Sequence, residues 1–570
     1  MEAITLSTVP ATATSTNTNA DDSKRWFSLV ILSLSLAIIV IDASIVNVAL
    51  PSIRKDFGAS LRDLEWVSAA YSLIFAALII TWGRLGDMIG RRTIFIAGVT
   101  TFGVGSIIVG LANPIGGISG IGVIVFGRVI QGLGAAMASP STLSILTSTF
   151  TGKSRGVAFG IWGATAGAGG ALGPLIGGLL ITNASWRWAF LVNIPIVIIA
   201  IVGSFLYITE STDKKHKNSI DIFGIIFITL GIGAAVFGLI EGQTYGWLQP
   251  KETFAIGSFN WPFTNIAFAP VMFIFAVFFI TAFVFYENYL LKRGDEPLFN
   301  FNLLQYPAFR FGLITVSIVA LGEFGILFVL SLYFQGVRGL SALDTGLILL
   351  PFAVGSFFTA PIAGILSSRF GAKWVVTAGM LLESIAIFLL SVVITTDTNR
   401  ALFIPIFLLY GIGLGLAIAQ LTSVVLSDIP PEYAGAGSGA NNTLRQVGAA
   451  IGVAILGAVL ASQLSTTAAA DLAKNTIIPN AAKSGIQSTF DNGSSTGSAP
   501  ATTGGPSNIP VQVQQAIGAQ VKTIYNDAST EGTRSAARLA SLFVFLGAVS
   551  SLFIPRPKRE TADREQARVE

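Results

Sequence analysis

Apolar runs of roughly 20 residues recur along almost the whole chain, and few folds accept that pattern. About 20 apolar residues in a helix span one bilayer crossing, because a helix rises 1.5 Å per residue across a core of about 30 Å. The 570 residues are 52% hydrophobic and only 11% charged. A soluble domain carries about 25% charge, so most of this surface faces lipid or other helices. The expected fold is all-α, a polytopic membrane protein.

The periodicity places about fourteen crossings. Six lie near 27–49, 66–85, 93–112, 121–146, 156–181 and 188–209, and two near 221–241 and 266–286. Six more lie near 309–335, 345–367, 374–395, 401–427, 438–462 and 536–555. Residues 1–25 read as a disordered tail rich in Ser, Thr, Ala and Asn. Lys24-Arg25 before an apolar run imitates a signal peptide, but without a small-residue cleavage site it reads as a retained first helix. More than half of the 34 Lys and Arg fall in the tails and alternate loops once both termini are placed inside, which is the positive-inside pattern. The net charge of +4 and pI near 9.2 therefore reflect basic inner loops rather than nucleic-acid binding. Residues 463–533 form the one large outer segment, and "STFDNGSSTGSAPATTGGPSN" (488–508) has a flexible composition. Asn183 and Asn492 each begin a glycosylation sequon on that side.

Composition also excludes chemistry. With no cysteine and one histidine, His216, there is no thiol nucleophile, disulfide, zinc site or Ser-His-Asp triad. No phosphate loop of the G-x-x-x-x-G-K-[ST] type occurs, which argues against ATP drive. Neither a metal nor a cofactor is expected, and the sequence does not read as an enzyme.

An internal repeat organises the rest. "GRLGDMIGRR" (83–92) has an echo in "GILSSRFGAK" (364–373), pairing Gly83 with Gly364, Gly90 with Gly371 and Arg92 with Lys373, each 281 residues apart. The same shift places "GLGAAMA" (132–138) on "GLGLAIA" (413–419), Gly156 on Gly437, and Asp42 on Glu323. A duplicated bundle with a site at the midplane is a transporter architecture. The domains are then a six-helix bundle over 26–210, two extra helices over 211–295, a second six-helix bundle over 296–556 carrying the 463–533 loop, and a tail over 557–570.

Ionisable residues inside a bundle are costly unless paired, so each is a functional candidate. They are Asp42, Arg128, Glu323 and Glu383. A carboxylate that alternates between a buried setting and an arginine partner can load and release a proton. Asp42 with Arg128 is the first choice, and Glu323, its repeat equivalent, the second. Glu383 has no acidic counterpart and reads either as a structural partner for a neighbouring helix or as a contact for cationic substrate. Glu241 and Glu287 read as interfacial charges, and Arg445 as an ion-pair partner near the inner face. Tyr71, Gln131, Gln420, Asn441 and Asn442 can line a polar path or bind helices together.

These residues resemble the major facilitator superfamily, and within it the fourteen-helix drug:proton antiporters. "GRLGDMIGRR" is similar to the superfamily signature G-x-L-x-D-x-x-G-R-R. "IDASIVNVALP" (41–51), "WVSAAYSL" (66–73), "GRVIQGLGAA" (127–136) and "SWRWAFLVNIP" (185–195) resemble its helix motifs. "GATAGAGGALGPLIGG" (163–178) resembles the exporters' G-P-x-x-G-G motif. The resemblance spans about 26–556 and implies the major facilitator fold with two six-helix pseudo-repeats and two extra central helices. It implies export of hydrophobic or cationic compounds in exchange for protons, with Asp42 and Arg128 coupling. It further implies a conformational gate at Gly83, Asp87, Gly90, Arg91 and Arg92, where Asp87 pairs with basic groups or caps a helix. Ser368 in place of that Asp makes the second copy a weaker latch. In the Gly-Pro motif, Gly169, Gly173 and Gly177 share one face for close helix approach, Pro174 kinks the helix, and Gly178 follows.

The expected partners are small-molecule substrates, protons and the lipid bilayer, for a monomer at the plasma membrane that has a periplasmic or accessory partner if bacterial. Two alternatives stay open: export of a single metabolite, lipid or siderophore, and, more remotely, a channel or membrane-embedded enzyme.

Overall fold

A computed structural model describes residues 18–59, 61–117, 119–150, 152–212, 221–250, 253–256, 259–263, 265–295, 297–430, 433–493 and 511–555. The described chain is helical apart from a two-stranded antiparallel hairpin, Ala255–Ile256 against Phe259–Asn260. Its first lobe comprises α1 (Thr18–Phe57), α2 (Leu61–Ile89), α3 (Arg91–Gly110), α4 (Gly120–Thr149) and α5 (Gly152–Asn183), then the single turn α6 (Trp188–Leu191) leading into α7 (Asn193–Tyr207). Next come α8 (Ile222–Tyr245) and α9 (Phe268–Arg293), which pack on each other and, through α8, on α2. The second lobe comprises α10 (Pro307–Leu332), α11 (Ala342–Phe370), α12 (Ala372–Val393), α13 (Arg400–Val425), α14 (Ala434–Lys474), α15 (Asn480–Gly493) and α16 (Val511–Ser551).

Each of the fourteen expected crossings falls on one of these helices. Twelve helices of the described residues are long and apolar enough to cross a membrane. The two outside that group are α5, packed on α1, α11 and α13, and α16, packed on α10, α12 and α14. Large apolar side chains such as Ile274, Phe278 and Phe285 on α9 stand exposed, as lipid-facing residues must.

The lobes meet where α5 lies along α11 and α13, and where α2 crosses α14. Small residues permit this: a Cβ on Gly160 would stand 2.5 Å from the Ala360 carbonyl oxygen, and one on Gly163 2.7 Å from the Ala419 Cβ. In the Gly-Pro motif, Gly169, Gly173 and Gly177 face Val40, Ser44 and Ile45 of α1, so the expected close-approach face exists and its partner is α1. Gly178 instead meets Leu343 of α11, while Pro174 lies within the continuous helix α5.

The repeat is visible in the backbone. Gly90 separates α2 from α3 with φ +136°, and Gly371 separates α11 from α12 with φ +92°. Side chains other than glycine rarely adopt that region, so a glycine breaks each helix pair at the same place.

Two expectations need correction. The N-terminal tail ends before residue 25, since α1 begins at Thr18; no proline or glycine lies between Thr18 and Phe27 to stop the helix. The 463–533 segment is mostly helical. At 41 residues each, α14 and α16 are about 60 Å long, twice the hydrocarbon thickness. Their far ends and α15 bury a separate core of Leu464, Leu472, Phe490, Val521 and Tyr525. An amphipathic pattern hidden in Ala-, Ser- and Thr-rich sequence escaped the composition reading. Residues 494–510, with most of the glycine-rich stretch, lie outside the described residues, as do residues 1–17, His216 and the 557–570 tail.

Candidate functional site

The first lobe buries a complete polar network around Asp42. Ion pairing joins Asp42 on α1 to Arg128 on α4, with both side chains inaccessible. Asp42 Oδ1 accepts from Gln131 Nε2 at 2.8 Å and from Asn193 Nδ2 at 2.9 Å. Gln131 Oε1 accepts from Arg128 Nη1 at 2.9 Å, and Ser106 Oγ on α3 accepts from both Gln131 and Asn193. Arg128 Nε donates to the Val67 carbonyl of α2 at 3.1 Å, and its guanidinium lies 4.4 Å from the Tyr71 ring centroid. Tyr71 in turn donates to the Ile39 carbonyl of α1. Five helices thus converge on one carboxylate. A buried charge is tolerated only when paired and hydrogen-bonded, and here every oxygen of Asp42 has a donor. Protonating Asp42 removes the partner of Arg128 and unbalances the whole set.

Sequence reasoning brought Asp42 and Arg128 together correctly. For Tyr71 and Gln131 it left open a polar path or the binding together of helices, and both belong to this closed network between helices. It missed Ser106 and Asn193, although an asparagine opening the apolar run "NIPIVIIAIV" was a visible signal.

The second lobe pairs its acids differently. Glu323 on α10, the repeat equivalent of Asp42, lies 3.6 Å from Arg445 on α14. That base is on the helix equivalent to α5, not to α4, so the acid repeats and its partner does not. Glu323 and Arg445 border a cavity with Val316, Met380, Leu414 and Ala417. Glu383 on α12 is completely buried, and neither of its oxygens has a hydrogen-bond partner. Gln420 donates across the lobe interface to the Gly156 carbonyl at 3.3 Å. Asn441 and Asn442 are buried on α14, where Asn441 Oδ1 and Asn442 Nδ2 have no partner.

The gate residues form a latch between lobes. Asp87 Oδ2 accepts from the backbone N–H of Gly435 at 2.7 Å and of Ala436 at 3.2 Å, at the start of α14. Its other oxygen takes the Nε and Nη2 of Arg91, both at 2.9 Å. Asp87 therefore does both things the sequence allowed: it pairs with a base and caps a helix, where the exposed N–H groups and the helix dipole favour a negative charge. Gly83 lets α2 touch α14, since a Cβ there would stand 2.5 Å from the Gly435 oxygen. Arg92 donates to the Ile208 carbonyl. Glu210, which sequence reasoning overlooked, packs against Gly90 and accepts from the N–H groups of Arg92 and Thr93, each at 3.0 Å. In the second copy, Ser368 is exposed and donates to Ile365 of its own helix. The Ser368 hydroxyl is thus bonded within its own helix, while Gly364 of the same copy meets the backbone of Gly156 on α5.

Two lobes of like topology, joined by a carboxylate latch and each holding a buried acid–arginine pair, define a membrane transporter of the two-lobed, repeat-built kind. The sequence profile of the Major Facilitator Superfamily matches residues 32–222 and 221–453, and the chain belongs to that family. It is a multi-pass membrane transporter, not an enzyme. Among its relatives, the tetracenomycin C resistance and export protein of Streptomyces glaucescens is 31% identical, with 77% of each chain covered. Multidrug resistance protein Stp of Mycobacterium tuberculosis is 32% identical over 78% of this chain and 77% of its own. The puromycin resistance protein pur8 of Streptomyces alboniger is 30% identical over 77% and 82%. In fold, the chain is similar to the human organic anion transporter MFSD10 (TM-score 0.55, 11% identity, 91% of this chain and 99% of that one). It is also similar to the proton:xylose symporter XylE (TM-score 0.52, 14% identity, 94% and 97%).

Proposed function

We propose that this transporter exports hydrophobic, often cationic compounds across the plasma membrane in exchange for protons, by alternating access of the two lobes. The observation that carries the reading is Asp42, a buried carboxylate held by one arginine and two amides. Protonation there releases Arg128, and the rearranged network favours the alternative packing of the first lobe. Glu323, paired with Arg445, is the second choice for this role, and the Asp87 latch holds the loop end closed until the lobes rock. Fourteen crossings divide as six, two and six, with both termini cytoplasmic on the basic side. Relatives named for resistance to or export of drugs support the substrate class. Several relatives are named for a single compound, among them tetracenomycin C and puromycin, which favours a second reading: export of one metabolite through the same machinery.

The energetics suffice. One proton entering across about 100 mV supplies about 2.3 kcal/mol. Half a pH unit adds about 0.7 kcal/mol, and the total of about 3 kcal/mol holds a roughly hundredfold gradient of neutral solute. In inverted vesicles, substrate addition should dissipate a preformed pH gradient, and Asp42→Asn should abolish that response while the protein still reaches the membrane. Normal uphill transport by Asp42→Asn would remove Asp42 from the mechanism.

A further inference from the structure

The interior of the second lobe holds an unbalanced charge. Glu383 lies close enough to Glu323 and Arg445 for both to act on it electrostatically. From α13 it is faced by Tyr410, whose hydroxyl also lacks a partner. A second neighbour of α12, α16, offers hydroxyls: Ser541 exchanges hydrogen bonds with Ser384, beside Glu383. Two carboxylates therefore share one guanidinium, whereas the first lobe balances one carboxylate with one guanidinium. Like charges sharing a dry site do not both stay ionised, so a second positive charge belongs here.

A substrate cation and a proton are the two sources, and access separates them. Glu323 and Arg445 border the cavity, and so does Met380, one turn before Glu383; Glu383 itself does not. Behind it, α13 packs so closely that a Cβ on Gly413 would stand 2.6 Å from the Glu383 amide nitrogen. An organic cation in the cavity meets Glu323 first, and Glu383 stands behind the residues that line it.

We propose that Glu383 is a second proton carrier, holding a proton behind the cavity wall and exchanging it with Glu323, so that each cycle moves one proton in each lobe. In the exchange, the O–H bond at Glu383 breaks and one forms at Glu323, while Arg445 transfers its pairing from Glu323 to the new Glu383 carboxylate. The net charge of the trio does not change. The inference deepens the proton-exchange reading given above and rests on it for the transport step.

Infrared spectroscopy of the substrate-free protein in lipid nanodiscs at neutral pH reads the proton directly. The expected result is a carboxylic-acid C=O band above the amide I region that disappears in Glu383→Gln, shifts in Glu383→Asp and is unchanged in Glu531→Gln, a substitution near the middle of α16 and outside its expected crossing at 536–555. A spectrum that Glu383→Gln leaves unaltered overturns the proposal. In proteoliposomes with a pH gradient and the membrane potential clamped at zero, ethidium accumulation should give two protons per cation for the natural chain and one for Glu383→Gln, which reduces the attainable gradient to about its square root. A natural chain that exchanges one proton per ethidium overturns the proposal too. If the band behaves as expected but no proton gradient drives ethidium, the proton site stands and the export reading falls instead.

Discussion

Replacing Asp87 by asparagine tests the latch most directly. The carboxylate joins the lobes through the N–H groups of Gly435 and Ala436, at 2.7 and 3.2 Å. Hydrogen bonds to charged groups contribute about 1.5–3 kcal/mol each, and a charge at a helix N-terminus adds about 0.3–2 kcal/mol. Asparagine keeps one acceptor oxygen at nearly the same place, so it loses the charge-assisted part and the dipole term, about 2 kcal/mol in all. At about 1.4 kcal/mol per tenfold, the ratio of loop-closed to loop-open molecules falls about 30-fold. A population about 97% closed becomes evenly divided. The chain has no cysteine, so Ile89→Cys and Ser368→Cys, both exposed at the loop end of opposite lobes, provide the only two thiols for spin labels. Double electron–electron resonance should show a second, longer distance appearing in Asp87→Asn. An unchanged distance distribution would refute the view that the carboxylate, rather than apolar packing, holds the lobes together.

Gly83→Val should push the same equilibrium the same way without touching a charge. Its Cβ meets the Gly435 oxygen at 2.5 Å, overpacking costs about 1–3 kcal/mol, and the same label pair should report opening; a closed distribution would show that α2 and α14 do not need this approach. A pH effect is expected at Asp56, beyond the apolar part of α1, which accepts from Trp186 Nε1 at 2.7 Å and Arg187 Nη1 at 3.1 Å. The Trp186 indole N–H, and next the Arg187 guanidinium, hold this carboxyl below its ordinary value of 3.8. A folded value below the unfolded one contributes stability that is complete above the unfolded value and is lost as pH falls through the folded one. Thermal melts from pH 6 to pH 3 should therefore show a steeper acid loss in the natural chain than in Asp56→Asn, and parallel curves would show that the Trp186 contact has no linkage to folding.

Much of the site was written in local sequence. Asp42, Arg128, Asp87 and the paired glycines 90 and 371 stand out because a charge in an apolar run, or a glycine at a repeat break, has few cheap explanations. Ser106, Glu210 and Tyr410 were not legible, since small polar or interfacial residues acquire a role only when a distant helix supplies their partner. Tyr71 and Gln131 illustrate the converse: their polarity was noticed, but whether it serves an open path or a closed network depends on packing.

Hydrophobic period and charge placement alone determined that this chain crosses a bilayer many times, repeats itself and carries buried acids, because the cost of exposing backbone or charge to lipid leaves no other arrangement. Tertiary structure decided which base each acid meets. It gave Asp42 an arginine from α4 and Glu323 one from α14, and it left Glu383 behind a cavity wall with no hydrogen-bond partner. Those choices depend on contacts between helices tens to hundreds of residues apart, set by close packing that no local pattern encodes.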